Sequence, residues 1–424
     1  MAEAAITGRG TSERGVEYRA IALVSAAHFV NHFQYLVLPP LFPLLKGELG
    51  IGFVELGFAL TVANIMAVAA QLSVGILVDR LGSRRMLVAA LVVAGLAFVG
   101  FGLAPSYPHL LLMMVFVGVA NSVFHPADYA ILSANIAPAR LGRAFSVHTF
   151  AGFIGNAVAP VTMLALVAAF GLNVGIVLAG VLALVAAAPL ALASGTDSAP
   201  ASASSASGAS PQAGAARGGG LTALLTPPIL GLTAFFALLS LSGTGISNFS
   251  VVALTGAFDT PLSVANLALT LYLTAQAFGV LAGGFVADLT RRHAEVAAIG
   301  YAVNAGVVLA IGLAGFAAGP LFLAMAAAGF LGGLIMPSRD MLVRAAAPPG
   351  MIGRTFGIVT AGFNISGIVG PLMFGWILDR GAPQWVFGAS VIVMAVTAAV
   401  AWIADRRATA RRRTAPVRAA ASAD

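Results

Sequence analysis

Apolar stretches long enough to cross a bilayer recur from one end of this chain to the other, and no other feature limits its fold so severely. A bilayer core of roughly 30 Å takes about 20 consecutive apolar residues in a helix. Twelve such stretches are legible, at approximately 20–44, 53–79, 86–104, 109–134, 143–168, 172–193, 224–250, 262–288, 294–316, 320–345, 354–379 and 383–404. Hydrocarbon offers no hydrogen-bond partners, so each stretch must satisfy its backbone internally, as a helix. With 59% hydrophobic and 9% charged residues and a mean hydropathy of +0.97, the side chains cannot furnish a water-facing surface, which takes about a quarter charged residues. A soluble enzyme, a nucleic-acid binder and a disordered chain are excluded. Cysteine is absent, which removes thiolate metal sites, iron–sulfur clusters, disulfides and cysteine catalysis.

The stretches fall into two sets of six. Residues 194–220 are rich in Ser, Ala, Gly and Pro and lack aromatic or branched aliphatic side chains apart from a single Thr, the composition of a flexible linker. The expected organisation is an N-terminal tail (1–19), a first bundle (20–193), the linker (194–220), a second bundle (221–404) and a basic tail (405–424). The two bundles share rare residues at one spacing: Pro126 and Pro337, Gly142-Arg143 and Gly353-Arg354, Phe145 and Phe356, and Pro160 and Pro371 are each 211 positions apart. Repetition of this kind marks a duplicated six-helix unit. Transporters built from two such repeats hold their substrate near the membrane middle, between the halves.

Charge distribution sets the expected orientation. The +7 balance comes from arginines gathered in the tails and in alternate loops, where they act as topological signals rather than as a nucleic-acid surface. The loops on the side away from the termini hold only Lys46 and Arg380, so both ends and the linker are expected in the cytoplasm. Residues 1–19 are charged and have no apolar core, so no cleavable signal peptide is expected.

Between the second and third spans runs Gly75-Ile-Leu-Val-Asp79-Arg80-Leu-Gly82-Ser-Arg84-Arg85, and a degenerate copy around Gly284 and Asp288 lies between the eighth and ninth. These segments resemble the signature loop of the major facilitator superfamily and its second copy. The resemblance covers essentially the whole chain and implies an all-α membrane protein, twelve transmembrane helices as two six-helix pseudo-repeats. A finer likeness is to the fosmidomycin-resistance branch, associated with proton-driven drug export. It rests on His28-Phe-Val-Asn31-His32 followed by a proline-containing run, on Phe124-His125-Pro126, and on Gly152-x-x-Gly155-x-x-x-Ala159-Pro160. His32 stands where that branch usually carries an Asp. The eleventh span repeats the small-residue pattern as Gly367-x-x-Gly370-Pro371-x-x-x-Gly375. Gly152, Gly155, Pro160, Gly367, Gly370 and Pro371 are accordingly expected to pack helices closely.

Ionisable groups inside a bilayer are costly and therefore functional suspects. His28 and His32 share one helix face, and His125 reaches a similar depth. Histidine suits proton loading because its ordinary pKa lies near 6.5; the structural alternative is that these rings only fix helix packing. No thiolate or carboxylate set accompanies the pair in sequence, so no metal is expected. Asp128 and Arg339 occupy equivalent positions in the two repeats and can pair across the pseudo-symmetry axis. With Asp340 and His148 they lie roughly 6–9 Å from the cytoplasmic edge by helix rise, which suits an inner gate or a binding role equally. Among neutral polar residues Asn31, Gln34, Asn248 and Asn364 are expected to line the pathway. In the signature loop, Asp79 can accept from backbone N–H groups at the start of the eleventh span, near Arg354, where the helix dipole favours a carboxylate. Gly75, Arg80, Gly82, Arg84, Arg85 and Asp288 complete that expected latch. No phosphate-binding loop is present, so direct ATP drive is unsupported, and no cofactor is expected. The resulting expectation is a monomeric, proton-coupled exporter of a small amphipathic or anionic compound in a bacterial inner membrane. Carboxylate uptake and a non-transporting receptor are the alternatives.

Overall fold

The computed structural model describes residues 2–193, 226–348 and 351–414. The linker 194–220 and the end of the basic tail lie outside the described residues. The chain runs through α1 (Ala2–Tyr35), a 3-10 turn (Pro39–Leu41), α2 (Phe42–Leu49), α3 (Phe53–Leu81), α4 (Ser83–Leu103), α5 (Tyr107–Asn135), α6 (Pro138–Phe170) and α7 (Leu172–Leu192). The second set is α8 (Pro227–Phe258), α9 (Leu262–Leu289), α10 (His293–Ala314), α11 (Ala318–Ala346), α12 (Ile352–Asp379) and α13 (Trp385–Thr414). No strand occurs among the described residues. Twelve segments are long and apolar enough to cross a membrane, with α1 and α2 together forming the first. Their outward faces carry exposed Leu192, Phe285, Leu289, Leu313 and Leu323, apolar surface that hydrocarbon covers without cost.

The duplication is visible in the packing. In the first set α1 pairs with α6, α3 with α5 and α4 with α7; in the second α8 pairs with α12, α9 with α11 and α10 with α13. Numbered by span, both sets pair first with fifth, second with fourth and third with sixth. Two expectations need correction. The first span is not one helix: it breaks after Tyr35, because Pro39, Pro40 and Pro43 remove N–H donors and clash with the preceding turn. The second is that the helices run past the apolar spans, back to Ala2 and on to Thr414. Apolar content marks the end of a span but not of a helix, and the Ala, Glu and Arg in these tails are good helix formers.

The signature loop divides by role. Gly82, at φ +91°, makes the turn between α3 and α4, a backbone conformation that L side chains resist. Arg84 donates to the carbonyls of Ala191 (2.9 Å) and Leu190 (3.4 Å) at the end of α7, where a cation complements the helix dipole. Asp79, Arg80, Arg85 and Asp288 are exposed, and Gly75 has no close neighbour.

The halves meet where α3 packs on α12 and α6 on α9. Contact is closest on the side away from the chain termini. There a Cβ on Gly57 would strike the Pro371 carbonyl and one on Gly375 the Phe53 carbonyl, so only glycine lets α3 and α12 approach so nearly. Thr61 donates across the same seam to the Ile368 carbonyl, 2.9 Å. At its far end Asp379, the last residue of α12, accepts from the backbone N–H groups of Phe53 (2.9 Å) and Val54 (2.8 Å) at the start of α3. Lys46 lies 3.6 Å from the same carboxylate and 4.2 Å above the Phe53 ring. One carboxylate from the second half thus caps a helix of the first, aided by the positive end of the helix dipole.

Replacing Asp379 with Ala should therefore loosen this side. An N-terminal cap is worth about 1–2 kcal/mol, a roughly 5–30-fold shift in the opening equilibrium. A single cysteine placed at Ser247, deep in the bundle, should then be alkylated faster from this side by roughly that factor; an unchanged rate would mean that Asp379 does not hold the halves together.

Candidate functional site

A cavity of about 330 Å³ lies between the halves, at the lower end of the range for small-molecule sites. From the first half come His32, Tyr35, Asn64, Asn121, His125 and Asn156; from the second come Ser240, Thr244, Ser247, Asn248, Gln276 and Phe363. Of the residues expected to line it, His32, His125 and Asn248 do so. Asn31 stands one layer behind, donating to Asn121 Oδ1 at 3.2 Å. Gln34 lines a smaller neighbouring cavity, and Asn364 stands in neither wall. The sequence reading passed over Ser240, Thr244 and Ser247. These sit at i, i+4 and i+7 on α8, one helix face, and with Asn248 they form a small polar stripe in an apolar span, a signal available from spacing alone.

Behind the cavity wall the first half gathers every histidine expected to matter around one carboxylate. Asp128 (α5) is fully buried; His28 (α1) and His148 (α6) are 3% and 1% exposed. Asp128 Oδ2 lies 3.1 Å from His28 Nδ1 and 3.4 Å from His148 Nε2. The His28 ring centre is 3.8 Å from that of His148, 4.4 Å from His32 and 5.6 Å from His125. Asn156 Nδ2 donates to His32 Nδ1 at 3.0 Å, which leaves Nε2 to carry the proton of the neutral ring. A line of imidazoles therefore runs from the cavity wall, through His32 and His125, to His28, Asp128 and His148. Gly152 on α6 makes room for it: a Cβ there would lie 2.8 Å from His28 Nε2 and 3.0 Å from His32 Cδ2. Gly155 lets α6 approach the α1 backbone at Phe29, as expected of that motif.

One expectation changes here. The ground for expecting no carboxylate beside the histidines fails, since Asp128 and His148 join His28 with ligand-type atoms all within 4.8 Å of one another; these residues are about 100 and 120 positions from His28, beyond the reach of any spacing rule. Asp128 and Arg339, expected to pair when the cytoplasmic side closes, are held apart in this conformation. Arg339 Nε donates to Asp340 at 2.8 Å, and its guanidinium lies 4.7 Å from the Phe236 ring centre and 5.3 Å from that of Phe363. Equivalent positions of the two repeats thus hold opposite charges, each neutralised within its own half.

The electrostatics of Asp128 allow few states. Asp128 Oδ2 has His28 Nδ1 and His148 Nε2 within ion-pair distance, while its Oδ1 and His148 Nδ1 have no hydrogen-bond partner among the described residues. An unpaired charge in such a place costs several kcal/mol. The cluster is neutral overall in two arrangements: a protonated carboxyl beside neutral imidazoles, or a carboxylate beside one imidazolium. Both hold one proton among the same three side chains.

Comparison with known proteins agrees with the fold. The chain is 36% identical over 110 residues to a Na⁺, Li⁺, K⁺/H⁺ antiporter of Planococcus maritimus, covering 25% of this chain and 26% of that protein. It is 25% identical over 182 residues to the fosmidomycin resistance protein of Escherichia coli K12, covering 42% and 45%. The chain spans less than half the length of these curated relatives. A crystal structure of a bacterial homologue of the human lysosomal transporter Spinster, inward-facing and unoccupied, superposes with a TM-score of 0.78 at 15% identity, covering 92% of this chain and 97% of that one. The Major Facilitator Superfamily model matches residues 24–246 and 233–422, and the chain belongs to that family of membrane transporters.

Proposed function

We propose that this protein is a proton-coupled secondary transporter that exports a small amphipathic or anionic compound across a bacterial inner membrane, as a monomer with both termini in the cytoplasm. The observation that carries the reading is the fully buried Asp128 carboxyl with His28 and His148 within 3.4 Å of it, one layer behind a cavity lined by both halves. On this topology the Asp379 contact closes the periplasmic side, and the cavity belongs to an inward-facing state. Alternating access then consists of breaking that contact and closing the opposite side, where exposed Asp79 meets the start of α12 near Arg354.

Coupling follows from the cost of the buried charge. The proton is needed while the cluster is dry; when the cavity hydrates or a ligand fills it, the balance between bound and released proton shifts through His32 and His125. The relatives' printed names, a cation/H⁺ antiporter and a fosmidomycin resistance protein, support export by exchange. Arg339 supports carboxylate uptake less well than the sequence alone suggested, because Asp340 and two phenylalanines already occupy its guanidinium.

Two measurements test this. In proteoliposomes, an imposed proton gradient should drive fosmidomycin or another compound of a resistance panel against the direction of proton flow; movement with the protons would establish symport instead, and a ligand that binds but moves with neither gradient would establish a receptor. For exchange, ligand affinity must rise with pH, by at most about tenfold per unit for one competing proton. The sign is set by the deprotonated cluster being the ligand-binding form. Asp128→Asn should flatten that dependence and lower gradient-driven transport at least tenfold while ligand binding persists; a normal pH profile in this variant would remove the cluster from coupling.

A further inference from the structure

A second cavity, of about 40 Å³, adjoins the central one within the first half. Tyr35, Leu60, Asn64 and Asn121 stand in both walls. Asn121 donates to the Tyr35 hydroxyl at this boundary, and a turn of either side chain joins the two spaces. Beyond that doorway the wall is apolar: Leu38, Ala63, Phe98, Met114 and Val117, drawn from the start of the chain and from α3, α4 and α5. One polar group interrupts it. Gln34 is 5% exposed, and its Nε2 has no hydrogen-bond partner.

Both features are costly to keep. Helix interiors pack to crystal-like density, so an apolar void forfeits contacts, and a buried amide donor without an acceptor is worse than none. A ligand group removes both costs at once if it is apolar and carries a hydrogen-bond acceptor. Size limits it further: one water needs about 10–15 Å³ of such space, so this pocket takes roughly three or four heavy atoms.

We infer that this side pocket is a specificity subsite for the transported compound. It receives a compact branched apolar group, of isopropyl size, attached next to a carbonyl, ester or ether oxygen that accepts from Gln34, while the polar head of the same molecule stays in the central cavity beside His32 and His125. This deepens the export reading by naming the substrate class: a small amphiphile with a short branched apolar end rather than a long chain.

A matched pair of probes tests it. N-acetylvaline and N-acetylglycine share a carboxylate head and an amide carbonyl and differ by one isopropyl group. Equilibrium binding to the purified full chain should favour N-acetylvaline at least tenfold, the discrimination that a fitted apolar pocket gives. Ala63→Leu, or Val117→Phe should the first fail to fold, fills the pocket and should abolish the preference while leaving N-acetylglycine binding unchanged. Gln34→Leu should weaken N-acetylvaline binding more than N-acetylglycine binding. Equal binding of the two probes by the unaltered protein, or a preference that survives filling, would overturn the subsite. Failure of the transport reading looks different: the binding preference holds and responds to the variants, but no gradient moves either compound.

Discussion

Asp128 is the constraint on which the first half of this transporter turns. A carboxyl group fully buried among membrane helices is tolerated only with a proton or a cation, and the chain supplies two imidazoles within 3.4 Å from two other helices. That requirement ties α1, α5 and α6 together, and it makes sense of a glycine at position 152, whose missing side chain is the space the histidines fill. The second half solves the same problem with the opposite sign. Arg339, 211 positions on, is held by its neighbour Asp340 and lies over two adjacent phenylalanine rings. Duplication preserved the position and reversed the charge.

The remaining polar chemistry is arranged around these two anchors. His32 and His125 link the buried cluster to the cavity wall, and the hydroxyl stripe of α8 faces them across the seam. The halves touch most closely at glycines and at the Asp379 cap, a contact made of one carboxylate and one helix end. Such a contact is strong enough to bias a conformation and weak enough to release in each cycle. The expected cytoplasmic latch at Asp79 uses the same two parts, a helix-end carboxylate and a partner helix N-terminus, on the other face of the bundle. On the proposed reading, alternating access is an exchange between the two.

Much of this was legible in the sequence, for reasons that can be stated. Hydrocarbon leaves a chain no choice but helix, so the spans could be read from composition and their pairing from the 211-residue offset. The break in the first span was not read, because the apolar pattern ran straight across the proline run at 39–43. Asp128, His28, His125 and His148 could each be singled out as costly at membrane depth. That they meet could not be read, because the contacts of α1 with α5 and α6 span about 100 or more positions and obey no periodicity. Asn64, Asn121 and Asn156 looked like ordinary helix glue, and only the closing of the two halves around one space gives them a ligand to face.

The central claim is that one proton is shared by Asp128, His28 and His148 and is released as ligand binds. Infrared difference spectroscopy of the membrane-embedded protein reads this directly. Ligand addition should remove a carboxylic-acid carbonyl band or an imidazolium signal, with one proton appearing in the medium per ligand bound, and Asp128→Asn should abolish both. Ligand binding that leaves these bands unchanged and releases no proton would contradict the account.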